Sequence, residues 1–384
     1  FERFNKLLIF RTWTVGAYPI GDLIWNRNTF RRVFQNIDSD SLVISLKYGE
    51  TDFFRFLPLN RHFFRSNHKK IIELQTRREY EGFGEYPSFI GWDYENYQRQ
   101  LEDAPNVIGA CFWCQTGGWT GFRRRTFIDK SAIWNEINTF VALKLFKDDL
   151  SCEEAIHAFC DQHHPKLNWE QMLTLMRLSD EVIKELLYID DFAKQKIFFR
   201  RLRVPPLLSI FWDQVIINHS MRKVLLCFMN APDVEEEKIA QGFAALKKIK
   251  HMKKIVNKLD LHKKDIEFQY DTFEIFAVAR KYYFGTYNEE IKQELTKLKK
   301  KYKKKHTKPR YVIKLDFSHF GIPRTRIKML LSLLLREQRG YRMIDRILTI
   351  RLMSWLSPLI RLGNKRFVPD FANKNAMGIE TILK

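Results

Sequence analysis

Four short runs of branched and aromatic residues recur in the first third of the chain: KLLIFRTWT (6–14), SLVISLKY (41–48), KKIIELQT (69–76) and NVIGACFWC (106–114). Such runs suit buried strands. Stretches that read as helix separate them, NTFRRVFQNI in the first gap and DYENYQRQLEDA in the third. Strands that alternate with helices predict βα units and a parallel sheet. Four units amount to half of a (β/α)8 barrel, a fold that takes roughly 250 residues. Half a barrel carries two unpaired edges, a liability in any sheet, so the pattern predicts either that earlier βα units are absent from this chain or that the sheet is completed in another way. From about Trp134 the chain reads as helical. LSCEEAIHAFC carries a capping box, with Ser151 as N-cap and Glu154 three residues on. NWEQMLTLM opens at Asn168, and LSDEVIKELL at Ser179 with Asp180 and Glu181 in its first turn. After Pro205 and Pro206, helices rich in Lys and Leu run to about Leu362. The predicted fold class is α/β plus all-α. Residues 1–133 form the C-terminal half of a TIM barrel, and residues 134–384 form a helical C-terminal domain.

Alternation also decides where side chains point. Glu73 and Gln75 share one face of their strand, and Ile72 and Leu74 share the other. In a parallel barrel the outer face packs on helices, so the apolar pair belongs there and Glu73 and Gln75 face the interior. Glu79 falls in the loop past the strand's carboxyl end, where barrel active sites lie. The preceding unit places Lys47 at its strand end and Asp52 in the following loop, and the first unit carries Arg11 within IFRTWT. Arg11, Lys47, Asp52, Glu73 and Glu79 thus converge on one mouth. The set suits a site that binds an anionic sugar and activates water. It equally suits a polar mouth held by ion pairs without catalysis.

The stretch KYGETDF resembles the Lys-x-Gly-x-x-Asp-Phe segment of the α-glucuronidases of glycoside hydrolase family 67. ELQTRREYEG is similar to that family's Glu-x-Gln-x-x-x-Glu-Tyr-x-Gly segment, in the same order and at nearly the same separation. FRTWT takes the place of the family's Arg-bearing strand, and NTFVALKLFKDDLSCEEAI is similar to its helical entry. The likeness covers roughly Lys6 to Phe159. It implies a (β/α)8 barrel with a helical C-terminal domain and inverting removal of glucuronic acid, or its 4-O-methyl form, from oligosaccharides such as those of xylan. It also implies dimerisation through the helical domain. Asp52 and Glu79 match the carboxylates that activate the water, Arg11 an arginine that pairs with the sugar's carboxylate, and Lys47 a lysine of the sugar pocket. The family's general acid lies on an earlier strand. Inversion needs acid and base roughly 6.5–9.5 Å apart, with room for the water. A nearby cation keeps the base ionised, and a guanidinium grips a uronate bidentately. Arg77 and Arg78 depart from the family pattern; they either neutralise the base or bind a second acidic group. Arg55 lies close to a family arginine but out of register with it.

Composition narrows the partners. At 45% hydrophobic residues the chain reads as globular. No apolar run reaches bilayer-spanning length, and no membrane partner is expected. Five cysteines argue against a disulfide scaffold. Cys111 and Cys114 form a Cys-x-x-Cys pair, but on a strand they point to opposite faces and no second pair matches them. They read as small buried hydrophobes; no metal and no cofactor are expected. Trp119, in CQTGGWTGF, is a candidate platform for a sugar ring or a core residue, with Trp113 and Trp13 behind it. His163 and His164 read as a helix end before Pro165. The net charge of +21 is concentrated in the C-terminal half, notably in KKIKHMKKIVNK and LTKLKKKYKKKH. These runs read as solvated helix faces, without a nucleic-acid-binding signature or interleaved aromatics. The expected partner is an oligosaccharide bearing a uronic acid, and nucleic acid is not expected. An incomplete or non-catalytic glycan-binding relative, or a polyanion- or nucleic-acid-binding module, remains the alternative. The compartment stays open between cytoplasm and periplasm.

Overall fold

The computed structural model describes residues 1–12, 27–50, 52–78, 80–114, 132–194, 196–199, 202–204, 210–211, 214–227, 232–307 and 312–317, with isolated positions at 23 and between 323 and 336. Strands β1 (Leu8–Arg11), β2 (Leu42–Lys47), β3 (Lys69–Gln75) and β4 (Val107–Trp113) form one parallel sheet in the order β1-β2-β3-β4. Helices α1 (Arg27–Phe34), α2 (His62–Arg65) and α3 (Gly91–Leu101) fall in the successive gaps, and α4 (Ile133–Asp148) follows β4. The alternation read from the chain is therefore the arrangement that forms. Ile44, Leu46, Ile72 and Leu74 are fully buried and join Phe34, Phe63, Tyr94 and Ile137 in the core. The other face of the sheet carries Arg11, Ser45, Lys47, Glu73 and Gln75. Lys47 stands beside Glu73 in the register, Glu73 beside Cys111, and Gln75 beside Trp113.

Beyond α4 the chain runs through α5 (Cys152–His163), α6 (Trp169–Val182), a π-turn (Ile183–Leu187) and α7 (Asp190–Ala193). It continues through α8 (His219–Leu226), α9 (Pro232–Lys258), α10 (Lys264–Phe284) and α11 (Glu289–Lys305). The capping box at Ser151 and the Asn168 cap both form. Ser179 does not open a helix. It lies inside α6, its hydroxyl donating to the Met176 carbonyl at 3.0 Å, because Asp180 is turned inward to Arg55. The helical expectation also missed two small sheets. β5 (Lys196–Phe199) pairs with β6 (Leu202–Val204) and β10 (Leu335–Arg336), and β8 (Gln214–Asn218) pairs with β7 (Ile210–Phe211) and β9 (Val312–Asp316). Helix positions past residue 336 lie outside the described residues. α10 is buried almost throughout, with α9 and α11 packed along its two sides.

One buried guanidinium ties the helices to the sheet. Arg55, in the loop after β2, donates Nε to Glu81 at 2.9 Å and Nη1 to both Asp93 of α3 at 2.9 Å and Asp180 of α6 at 2.5 Å. Its Nη2 donates to Glu81 at 3.1 Å and to the Phe89 carbonyl at 2.7 Å. Arg78 adds a second guanidinium on Glu81, and Lys184 bridges Asp93 and Asp180, each at 2.9 Å. Removing one partner from a buried ion pair strands the rest, so Arg55→Leu is expected to cost about 3–5 kcal/mol in urea denaturation. Burial pushes the Glu81 carboxyl up, but Arg55 and Arg78 outweigh it and hold the group well below the usual carboxylate range. A depressed carboxyl contributes stability that is present above its unfolded value and is lost as pH falls toward the folded one. The stability gap between wild type and Glu81→Gln should therefore be full at pH 7 and narrow below the ordinary value of 4.5. A gap unchanged on acidification would contradict this account.

Candidate active site

Two ion pairs stand at the carboxyl ends of the parallel strands, on the face away from the helices. In the first, Arg11 Nε donates to both oxygens of Glu73, at 2.9 and 3.0 Å, and Ser45 Oγ donates to Glu73 Oε1 at 2.6 Å. Strand alternation makes this meeting possible: Arg11 is in register with Ser45, two residues before Lys47, which stands beside Glu73. The Arg11 guanidinium lies 4.3 Å from the centre of the Trp113 ring, a cation–π contact that fixes its plane. Its terminal nitrogens donate to no described residue, and the side chain is 38% exposed whereas Glu73 is 1% exposed. Glu73 is thus committed to holding Arg11 through Nε, which leaves the terminal nitrogens of Arg11 without a partner among the described residues.

The second pair is Lys47 and Asp52, with Nζ donating to Oδ1 at 2.5 Å and lying 4.4 Å from the centre of the Phe53 ring. Asp52 Oδ1 also accepts from the Phe53 amide at 3.0 Å, and Oδ2 accepts from the Tyr80 hydroxyl at 2.5 Å. A carboxylate has about four lone-pair sites, so these three donors leave one for a water or a substrate hydroxyl. The loop is held from below. Tyr48 donates to the Phe54 carbonyl at 2.6 Å, and Arg55 is locked into its buried network three residues past Asp52.

Of the sequence-predicted residues, the structure brings Arg11, Lys47, Asp52 and Glu73 to one end of the sheet. Glu79 and Trp119 lie outside the described residues. The two arginines before Glu79 are buried. Arg78 serves Glu81 and the Phe53 carbonyl, the latter at 2.8 Å, and so completes the ionic network. Arg77 packs against Gly84, where a φ of +67° and a Cβ only 2.5 Å from Arg77 Cγ leave room for glycine alone. Arg77, Arg78, Tyr86, Trp134 and Asn138 line a narrow polar cleft beside the loop. Cys111 shares the face of Glu73; burial and then the Glu73 charge push its thiol up. Among the described residues no three His, Cys, Asp or Glu side chains gather into a metal-binding group.

Sequence reasoning passed over Ser45 and Tyr80 and placed Trp113 behind Trp119. The signal for Ser45 was present, since it alternates in phase with Lys47. Tyr80 has no such periodicity, because it sits in a loop.

No protein-family model matches the chain, and a search of curated proteins finds no match. What the site does rests on its own chemistry. Because Glu73 spends its charge on Arg11, Glu73→Gln should release the guanidinium from its place on Trp113. The substitution is expected to cost about 1.5 kcal/mol in urea denaturation, the worth of a charge-assisted contact. Unchanged stability would remove Glu73 from the positioning role.

Proposed function

We propose that the chain is part of a glycoside hydrolase that removes an α-linked uronic acid, glucuronic acid or a close relative, from an oligosaccharide by single displacement. The observation that carries this reading is the orientation of Arg11. A guanidinium clamped through Nε, stacked on an indole and with no partner for its terminal nitrogens among the described residues is suited to take a carboxylate in a fork. A few residues away on the same face, the Lys47–Asp52–Tyr80 cluster retains one acceptor position for water. The segments similar to family 67 α-glucuronidases contribute Lys47, Asp52, Glu73 and Tyr80, and FRTWT contributes Arg11.

In the proposed reaction Arg11 holds the sugar's carboxylate and Lys47 helps fill the pocket. Asp52 and Glu79 take a proton from the attacking water as its oxygen bonds to the anomeric carbon. The glycosidic bond breaks on the opposite side, and an acid outside this pair protonates the leaving oxygen. The four-stranded sheet is read as the C-terminal half of a (β/α)8 barrel. In support, its polar face is the one a barrel turns inward, and both edges stay open among the described residues. Ile9 on β1 is 59% exposed and Ile108 on β4 is 55% exposed, positions that a neighbouring strand would cover. The helices from α4 onward are read as the C-terminal domain and as the surface for a second copy.

The test is release of free uronic acid from glucuronoxylan oligosaccharides by a chain that carries the whole barrel. Asp52→Asn and Glu79→Gln are each expected to lower the rate by about 10²–10⁴-fold, the range for loss of a general base. Circular dichroism should be unchanged. Turnover that survives both substitutions would sink the mechanism.

A further inference from the structure

The narrow cleft beside the mouth has one wall from the loop after β3 and the other from the first turn of α4. Arg77 and Arg78 come from the loop, and Trp134, Asn135 and Asn138 from the helix. Asn138 ties the two walls together. Its amide nitrogen donates to the Ser88 and Trp134 carbonyls at 2.7 and 2.8 Å, and its side-chain oxygen accepts from the Ile90 amide at 3.1 Å. The Thr76 hydroxyl donates to the side-chain oxygen of Asn135 at 3.2 Å, and the Thr76 amide donates to the Trp113 carbonyl at 3.0 Å. The cleft therefore adjoins the residue on whose indole Arg11 rests.

What these walls have left over is donors. With its oxygen taken by Thr76, Asn135 has only its NH2 group to offer, and that group donates to no described residue. The Trp134 indole N–H is likewise used by no described residue. Arg78 is 2% exposed. Its terminal nitrogens serve Gln75, Phe53 and Glu81, but its Nε is shut off from water and has no hydrogen-bond partner. Arg77 places a second buried guanidinium in the lining. The Ser88 hydroxyl is spent between Arg55 and Glu81, and among the described residues no carboxylate lines the cleft.

α4 adds to the same field. It is 16 residues long, and Ala132 at its N-cap has no side-chain acceptor to give the first turn. The amides of such a turn and the positive end of the helix dipole favour a negative charge beside them. A buried N–H without an acceptor is costly, and native proteins rarely keep one unless a water or a ligand serves it. A water brings two hydrogens of its own into a wall of donors, whereas an oxyanion brings acceptors and the opposite charge. We propose that the cleft is an oxyanion site. A sulfate, phosphate or carboxylate group enters it and accepts from Arg78 Nε, the Asn135 amide and the Trp134 indole. The group is either a free inorganic ion or the acidic substituent of a larger ligand. The site does not depend on the hydrolase reading, because Arg11, Lys47 and Asp52 take no part in it.

The experiment is isothermal calorimetry of sulfate and of glucose 6-sulfate, at constant ionic strength, with the whole chain and three variants checked by circular dichroism. Asn135→Asp keeps an acceptor for Thr76 and suits the first turn of a helix, but puts a carboxylate where the anion would lie. It is expected to weaken sulfate binding about tenfold or more, as like charges brought together do. Trp134→Phe keeps a ring and removes one neutral donor, and should weaken it about fivefold. Arg11→Gln should leave it unchanged. Tighter binding of glucose 6-sulfate than of sulfate would support the site and assign the anion to a larger ligand; the reverse would support it and assign a free ion. Absence of heat from both anions with wild type would overturn the proposal. So would sulfate affinity that survives both cleft variants, or that is lost in Arg11→Gln alone, which would put the anion at the mouth. Binding is read without turnover, so absence of uronic acid release would count against the hydrolase reading alone.

Discussion

A guanidinium cut off from water must find acceptors for all five of its N–H groups inside the protein, and the rest of this structure depends on Arg55 finding them. Its acceptors come from the loop after β3, from α3 and from α6, so the charge can be satisfied only when the sheet and the helices have assembled. The network holds three cations, Arg55, Arg78 and Lys184, against three carboxylates, Glu81, Asp93 and Asp180. A network balanced in charge and well bonded can persist in a low-dielectric interior where any single member could not. Asp52 precedes Arg55 by three residues, and Tyr80 immediately precedes Glu81. The buried network therefore places both ends of the Asp52–Tyr80 hydrogen bond, and the chemistry at the mouth inherits its geometry from ions it never touches.

What could be read from the chain follows from the range of each interaction. The four strands and their two faces were legible because alternation is a period-two signal carried by neighbours, and it put Arg11, Lys47 and Glu73 on one side correctly. Asp52, a loop residue, joins that end of the sheet through Lys47, while Glu79, the fifth residue of the expected mouth, lies outside the described residues. Ser179 was misread because Ser-Asp-Glu is a local start signal, and only the contact from Asp180 to Arg55, 125 residues away in sequence, shows why an aspartate stands there. Arg78 was weighed with Arg77 as a ligand or neutralising group, and Arg55 only as lying near a family arginine. The structural role of Arg55 and Arg78 depends on Glu81, Asp93 and Asp180 being gathered from separate elements, and no spacing encodes that. The division of labour at Glu73 was equally hidden. Alternation shows which way a carboxylate points, but not that a guanidinium and a hydroxyl will occupy it.

Arginine and lysine are used differently in this chain, and the difference explains how a net charge of +21 coexists with a well-packed interior. Arg55 and Arg78 enter the core with carboxylates, while Arg280 enters without one. Its Nη1 donates to the Lys238 carbonyl at 2.8 Å and its Nη2 to the carbonyls of Glu185 and Tyr188, at the π-turn after α6. Burial pulls the Arg280 guanidinium down to about 10, still protonated at neutral pH. A lysine could not replace it, because three hydrogens around one nitrogen cannot reach carbonyls on two sides. Most of the described lysines, by contrast, stay at the surface with hydrated heads, Lys47, Lys70 and Lys238 being buried exceptions. The buried charges among the described residues are thus close to balanced, and the excess lies elsewhere, eight of the twenty-one net charges on α9 and α11. Salt screens exposed charges within about 8 Å at physiological strength and buried pairs far less. Ionic strength consequently acts on the two kinds of charge unequally: it screens the exposed lysines of α9 and α11 while leaving the Arg55 network, and with it the Asp52–Tyr80 contact, in place.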